Sequence, residues 1–247
     1  MKNQSKNNSL QKEAIFVPLG LALLLIIVHL IDLPGCYGVI PRYKIGIQGI
    51  LLAPLFHSTW EHLFNNIFPL LVLGFMVFSF YKKVAYLLLS MGWLLTGTLV
   101  WLFADTGILP SDNHVGCHIG ASGIVYMLAF FIFASGVLRK SLPLIAVSLV
   151  VVFLYGGMLW GIFPEEVIVY TTEQENISWE SHFFGALVGV FFAFVWRKFG
   201  TQKKKFSWQN KDHYNVEDEE LWQRYLDKYP EEEPKPKPKK PRFKDLF

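Results

Sequence analysis

Residues 119–140 read IGASGIVYMLAFFIFASGVLRK, twenty uncharged residues followed by Arg139 and Lys140. A helix needs about 20 apolar residues to cross a bilayer core about 30 Å thick, and this run has that length. It opens on Gly120-Ala121-Ser122-Gly123, almost bare backbone, and closes on two cations. Five more stretches share its apolar character: 14–31, 63–81, 84–104, 142–161 and 179–197. The first of these reads as a retained helix rather than a cleaved signal peptide. It is too long for one, lacks a small-residue cleavage site after it, and runs into Pro34-Gly35.

Composition agrees with six spans. Hydrophobic residues make up 52% and charged residues 17% of the 247, against roughly 25% charged in an average soluble chain. Residues 201–247 hold 12 of the 23 Lys+Arg and 10 of the 20 Asp+Glu, so the first 200 are poorer still in charge. A soluble enzyme is excluded, and so is a disulfide scaffold, because two cysteines (Cys36, Cys117) cannot staple a chain of this size. The net charge of +3 does not point to nucleic acid, since the cations flank the spans or lie in a mixed-charge tail.

Cations in short loops mark the cytoplasmic side of a membrane protein. Lys2, Lys6, Lys12, Lys82, Lys83, Arg139, Lys140, Arg197 and Lys198 share one side, whereas every acid between 14 and 200 falls on the other. Both termini are therefore expected in the cytoplasm, with the chain multi-pass in the cell (plasma or inner) membrane. The organisation expected is a cytoplasmic N-terminus 1–13, a membrane domain 14–198, and a charged, partly disordered cytoplasmic tail 199–247. Within the tail, 214–229 is expected to form one amphipathic helix before a stiff Pro-Lys segment. The first outward loop, about 32–62, is long and apolar, and is expected to lie on or partly in the outer leaflet.

Polar residues inside apolar spans are functional candidates by default. At 1.5 Å per residue, Asn66 lies ~24 Å above Lys82, Ser122 ~26 Å above Arg139, and His182 ~22 Å above Arg197. Three helices thus carry a carboxamide, a hydroxyl and an imidazole at one depth, and scattered structural residues have no reason to agree in that way. His62, four residues before Asn66, shares its face. Asn65 faces elsewhere and reads as a helix–helix or loop contact. Gly185 and Gly189 follow His182 on one face, a small-residue stripe that lets helices approach closely. Such an approach brings Ser122 within reach of His182, with Tyr126 one turn below to stack under the ring.

A serine hydroxyl becomes a nucleophile when a base takes its proton, and imidazole is the usual base near neutral pH. The oxyanion then needs donors, which His62, Asn66 and the Ser122 backbone amide can supply. No carboxylate within the spans offers a third triad member, so the candidate is a Ser122–His182 dyad.

These residues resemble the rhomboid family of intramembrane serine proteases. The family's H-x-x-x-x-H-x-x-x-N appears as His57, His62 and Asn66. Its G-x-S-G with a following Tyr appears as Gly120, Ser122, Gly123 and Tyr126, and its H-x-x-G-x-x-x-G as His182, Gly185 and Gly189. The resemblance spans about 14–198. It implies an all-α six-helix membrane bundle and a serine endopeptidase that cuts other membrane proteins in or near their transmembrane helices, without a cofactor. Ser122 would be nucleophile, His182 general base, and His62 and Asn66 part of the oxyanion hole. Substrate would enter near the second and fifth spans, under loop 162–178. The Trp-Arg pair many members carry in the first outward loop is replaced by Pro41-Arg42-Tyr43.

Other readings stand beside this one. A proteolytically silent relative that binds membrane helices would be expected to lack Ser or His at the dyad. A channel would need a polar path, yet below Ser122 and His182 the spans are apolar and aromatic. His57, His62, His114 and His118 suggest an outward metal site, but their spacing does not assemble a ligand set. Whether Cys36 and Cys117 pair is left open, as distance cannot be read from sequence. Asn176-Ile177-Ser178 fits a glycosylation acceptor that matters only in a eukaryotic secretory pathway.

Overall fold

A computed structural model describes residues 2–31, 33–105, 116–140, 142–154, 178–199 and 216–232. The expectations for loop 162–178 up to its last residue, the end of the fifth span, His114, Asn176 and the Pro-Lys segment fall outside these residues. The chain divides into two compact units, Met1–Lys203 and Lys204–Phe247.

The regular elements among the first unit's described residues are all helical, and one isolated antiparallel bridge joins Val39 to His118. The helices are α1 (Lys2–Ile31), α2 (Gly49–Leu52), α3 (Trp60–Phe80), α4 (Ala85–Phe103), α5 (Ser122–Leu138), α6 (Leu142–Leu154) and α7 (Trp179–Val195). Among the described residues, three segments are long and apolar enough to cross a membrane, namely Lys12–Ile31, Trp60–Phe80 and Ala85–Phe103. α5 and α7 are apolar but have 17 residues each, about 26 Å of helix. α1 starts well before residue 14, because a helix already nucleated in the apolar run gains one hydrogen bond for each polar residue it recruits.

α5 is the centre of the unit and packs on α3, α4, α6 and α7, most extensively on α7. Its interior residues from Gly123 to Ala129, with Phe131 and Ile132, are all buried. In α1, Pro18 sits where a side chain on Gly74 of α3 would be, since a Cβ there would lie 2.9 Å from the Pro18 ring. At the other end of α5, the half-buried Arg139 guanidinium donates to the Trp196 carbonyl at 3.1 Å and also to that of Phe199. It lies 4.7 Å above the Tyr81 ring. A cation at the exit of α7 meets carbonyls just past its last helical residue, so the end of α5 is tied to the chain leaving α7.

Between α1 and α3 the chain forms two short 3₁₀ turns, Lys44–Gln48 and Ala53–Leu55, either side of α2. Ile45, Ile47 and Leu51 are exposed on this apolar run. Cys36 and Cys117 form a disulfide with Cα atoms 6.1 Å apart, which answers the question the sequence left open. Beside it, Val39 and His118 exchange both backbone hydrogen bonds at 2.9 Å. The first loop is thereby bound to the segment that leads into α5.

In the second unit, α8 (Val216–Lys228) is the expected amphipathic helix. Leu221, Trp222 and Tyr225 are exposed on it, as is Tyr229 just past its end, and the Trp222 and Tyr225 rings stack at 5.6 Å.

Candidate active site

The segment 117–121 delivers Ser122 to the first position of α5, and it is tied at nearly every residue. The amide of Gly120 donates to the Ala53 carbonyl at 2.9 Å. That of Ala121 donates to Nε2 of His57 at 3.3 Å. Gly120 has φ +110, a left-handed conformation that costs glycine nothing. A Cβ there would also lie 2.7 Å from Nε2 of His62 and 3.9 Å from Nδ2 of Asn66. Bare backbone at Gly120 is therefore what lets the His62 ring and the Asn66 carboxamide come up beside the serine.

α3 positions those two groups. Thr59 caps the helix, its hydroxyl accepting from the His62 amide at 3.1 Å. The His62 ring is held by Ser58 Oγ at 3.3 Å from Nδ1, which leaves Nε2 on the Gly120 side. Asn66 is buried and donates from Nδ2 to the His62 carbonyl at 3.0 Å. A carbonyl only accepts, so this bond fixes which end of the carboxamide is nitrogen. Asn65 is exposed, as its place off this face requires.

His57 has a role that sequence spacing alone does not convey. Its Nε2 accepts a hydrogen bond, so the ring is neutral with its proton on Nδ1. Burial first, and then the neighbouring His62 ring 5.0 Å away edge-on, push its pKa down from 6.5 to about 3. A charged imidazolium could not accept the Ala121 amide; a buried neutral ring can.

α7 brings the imidazole. Its cap, Ser178, accepts from the Ser181 amide at 3.2 Å, and His182 follows on the buried face, 6% exposed. The Tyr126 ring stacks on the His182 ring, with centroids 4.2 Å apart and planes within 9°, one turn below Ser122 as expected. The glycine stripe is what allows this. A Cβ on Gly185 would overlap the Gly123 carbonyl, and one on Gly189 would overlap that of Met127 and lie 2.9 Å from the Phe131 nitrogen. Gly123 in turn faces the Ser181 carbonyl, 3.1 Å from where its Cβ would stand. The start of α5, half-buried Ser122 included, thus lies against the first two turns of α7.

The structure therefore places His62 and Asn66 of α3 beside Gly120 just before Ser122, and His182, Gly185 and Gly189 of α7 against α5 from Gly123 and Tyr126 onward. Among the described residues there is no cluster of His, Cys, Asp and Glu able to hold a metal ion. His118, weighed from sequence as a ligand, instead bonds Ser178 Oγ through Nδ1 at 2.7 Å. That contact spans 60 residues and leaves no periodic trace in the sequence.

The sequence that builds this arrangement matches known proteins. Residues 44–199 match the Rhomboid domain, and the chain belongs to the rhomboid family, whose members are in general intramembrane serine proteases. An uncharacterized protein of Mycobacterium bovis is 36% identical over 180 residues, which cover 70% of this chain and 70% of that protein. An uncharacterized protein of Mycobacterium tuberculosis matches to the same extent. One of Mycobacterium leprae is 33% identical over 152 residues, covering 60% of this chain and 56% of that protein.

Proposed function

We propose that this chain is an intramembrane serine endopeptidase that hydrolyses peptide bonds in or near transmembrane helices of membrane-protein substrates. The observation that carries this reading is the Tyr126–His182 stack beside the Gly123–Gly185 contact. It sets an oriented imidazole against the helix start that Ser122 occupies. In this reading Ser122 Oγ attacks the scissile carbonyl carbon while His182 takes its proton. His182 returns that proton to the departing amine, the acyl-enzyme forms, and water activated by the same imidazole releases the second product.

Negative charge on the tetrahedral oxygen is met by three donors: the His62 ring, the Asn66 carboxamide and the Ser122 amide. The amide belongs to the first turn of α5, where helix N–H groups lack internal acceptors and the helix dipole is positive. His57 supports the hole from behind by holding the Ala121 amide. Tyr126 limits the rotation of the His182 ring, as a buried flat face 4.2 Å away must.

The bundle is proposed to cross the membrane six times in a cell membrane, with both termini and the tail 199–247 in the cytoplasm. The lysine and arginine distribution supports that orientation. A helix of about 26 Å is shorter than the bilayer core, so α5 in this orientation starts below the outer surface, where water reaches Ser122 from outside only. Labelling with a fluorophosphonate tests the proposal: the purified chain, Ser122→Ala and His182→Ala are compared by intact mass. One adduct on the wild type and none on either variant is the expected result. No adduct on a folded wild type would transfer the reading to a silent helix-binding protein.

A further inference from the structure

The His118 ring stands between two elements. Its Nε2 lies 3.4 Å from the Asp105 carbonyl, just past the end of α4, and its Nδ1 lies 2.7 Å from the hydroxyl of Ser178, the cap of α7. Its backbone is paired with Val39, and its neighbour Cys117 is bonded to Cys36. The ring is thus mounted on a doubly fixed segment four residues before Ser122.

The hydrogen-bond inventory decides the direction of each contact. A carbonyl can only accept, so Nε2 carries the proton and donates to Asp105. Nδ1 of the neutral ring is then an acceptor, and the Ser178 hydroxyl must donate to it. Ser178 has one hydrogen and two lone pairs. The hydrogen goes to His118, the nearer acceptor, rather than to the Glu180 carboxylate at 3.4 Å. The lone pairs accept the Ser181 amide at 3.2 Å and the Ser181 hydroxyl at 2.8 Å. Every position on the cap oxygen is used, so its orientation is set by His118.

We propose that His118 is a positioning residue for the reaction: it orients the Ser178 cap, which fixes the first turn of α7 and with it the His182 ring against Tyr126 and Ser122. The inference rests on the Ser122–His182 reading. In mechanical terms, the segment that carries the nucleophile and the helix that carries the base are bridged directly, across 60 residues of sequence.

The test compares wild type, His118→Phe, His118→Asn, Ser178→Ala and His118→Phe/Ser178→Ala, each as the full chain in detergent. Fluorophosphonate inactivation gives a maximal rate and an apparent affinity, and hydrogen exchange reports the amides of 181–184. His118→Phe keeps a ring but loses the acceptor, and is expected to slow the maximal rate about fivefold, the weight of a lost helix cap, with affinity unchanged. The same change should speed exchange at 181–184 by a similar factor. His118→Asn restores an acceptor near Nδ1 and should stay within about twofold of wild type. The double variant should be no slower than Ser178→Ala alone, since both act through one oxygen.

Wild-type rate and exchange in His118→Phe, a loss in affinity alone, additive losses, or an Asn variant as slow as Phe would each overturn the proposal. If the wild type takes no probe, the dyad reading fails. Exchange at 181–184 then still decides whether His118 holds α7. Ser178→Ala serves as the second probe of the same bond should His118→Phe fail to fold.

Discussion

Gly185→Ala adds one methyl group at the tightest point between α5 and α7. Its Cβ would overlap the Gly123 carbonyl oxygen and lie 3.0 and 3.2 Å from the Gly123 carbonyl carbon and Cα. Carbon atoms prefer about 3.5–4.0 Å, and the atoms in the way are backbone, not the end of a flexible side chain. The helices must therefore separate by roughly 0.5–1 Å. Overpacking of this kind costs about 1–3 kcal/mol. A misplacement near 1 Å between reacting groups costs up to about 100-fold in rate. We expect Gly185→Ala to lower the melting temperature in detergent and to slow fluorophosphonate labelling of Ser122 by about 10- to 100-fold.

Gly189→Ala, one turn farther from Ser122, meets Met127 and Phe131 backbone. It should cost similar stability and less rate. Gly20→Ala on α1 is the control, since nothing lies within 4 Å of its added Cβ. It should leave labelling unchanged and, if anything, stabilise the helix by up to about 1 kcal/mol. A Gly185→Ala protein that melts and labels like wild type would refute the close-approach reasoning.

Asn66→Ala should slow labelling without abolishing it, because one oxyanion donor is worth about 3 kcal/mol or less; a complete loss in a folded variant would contradict a shared hole. Ser122→Ala should leave the stability within about 0.5 kcal/mol of wild type while removing the adduct, since a half-buried hydroxyl is all that is lost. Cys36→Ser with Cys117→Ser opens a loop of sequence separation 81. It should destabilise by at most about 4 kcal/mol, and unchanged melting under non-reducing conditions would argue against the bond. His57 has a folded pKa of about 3 against 6.5 unfolded. The unfolded chain therefore binds more protons between these values. The stability His57 contributes is complete above pH 6.5 and falls as pH drops toward 3, by up to about 1.4 kcal/mol per unit. Melting curves of wild type and His57→Gln across pH 7.5 to 4.5 check this, and parallel pH profiles would count against it.

The helices and the residues at their meeting point are legible in the sequence for one reason: both obey periodicity. Apolar length gives the spans, and His182, Gly185 and Gly189 share a face by arithmetic, as do His62 and Asn66. Tyr126 under the His182 ring follows from one turn of spacing once α5 and α7 are in contact. What periodicity does not carry is the aperiodic outward layer. The Val39–His118 pairing, the Cys36–Cys117 bond and the His118–Ser178 contact each join residues far apart in sequence through segments with no regular repeat. Nor does sequence place the start of α5 at Ser122 rather than Ile119. That boundary is set by the left-handed Gly120 and by the Ala53 and His57 acceptors, which claim the amides before it.

Arg139 holds the far end of α5 to two carbonyls of the turn that leaves α7. Seen as a pair of levers, the two helices are pivoted there and meet along the glycine stripe by backbone packing. With an arm of about 26 Å, a tilt of only ~2° about that pivot moves the tip of α5 by about 1 Å. Angular error is therefore magnified at Ser122 and negligible at Arg139. Substitutions at the pivot should act on the reacting tip without touching it, much as play in a hinge is felt at the jaw of a pair of pliers.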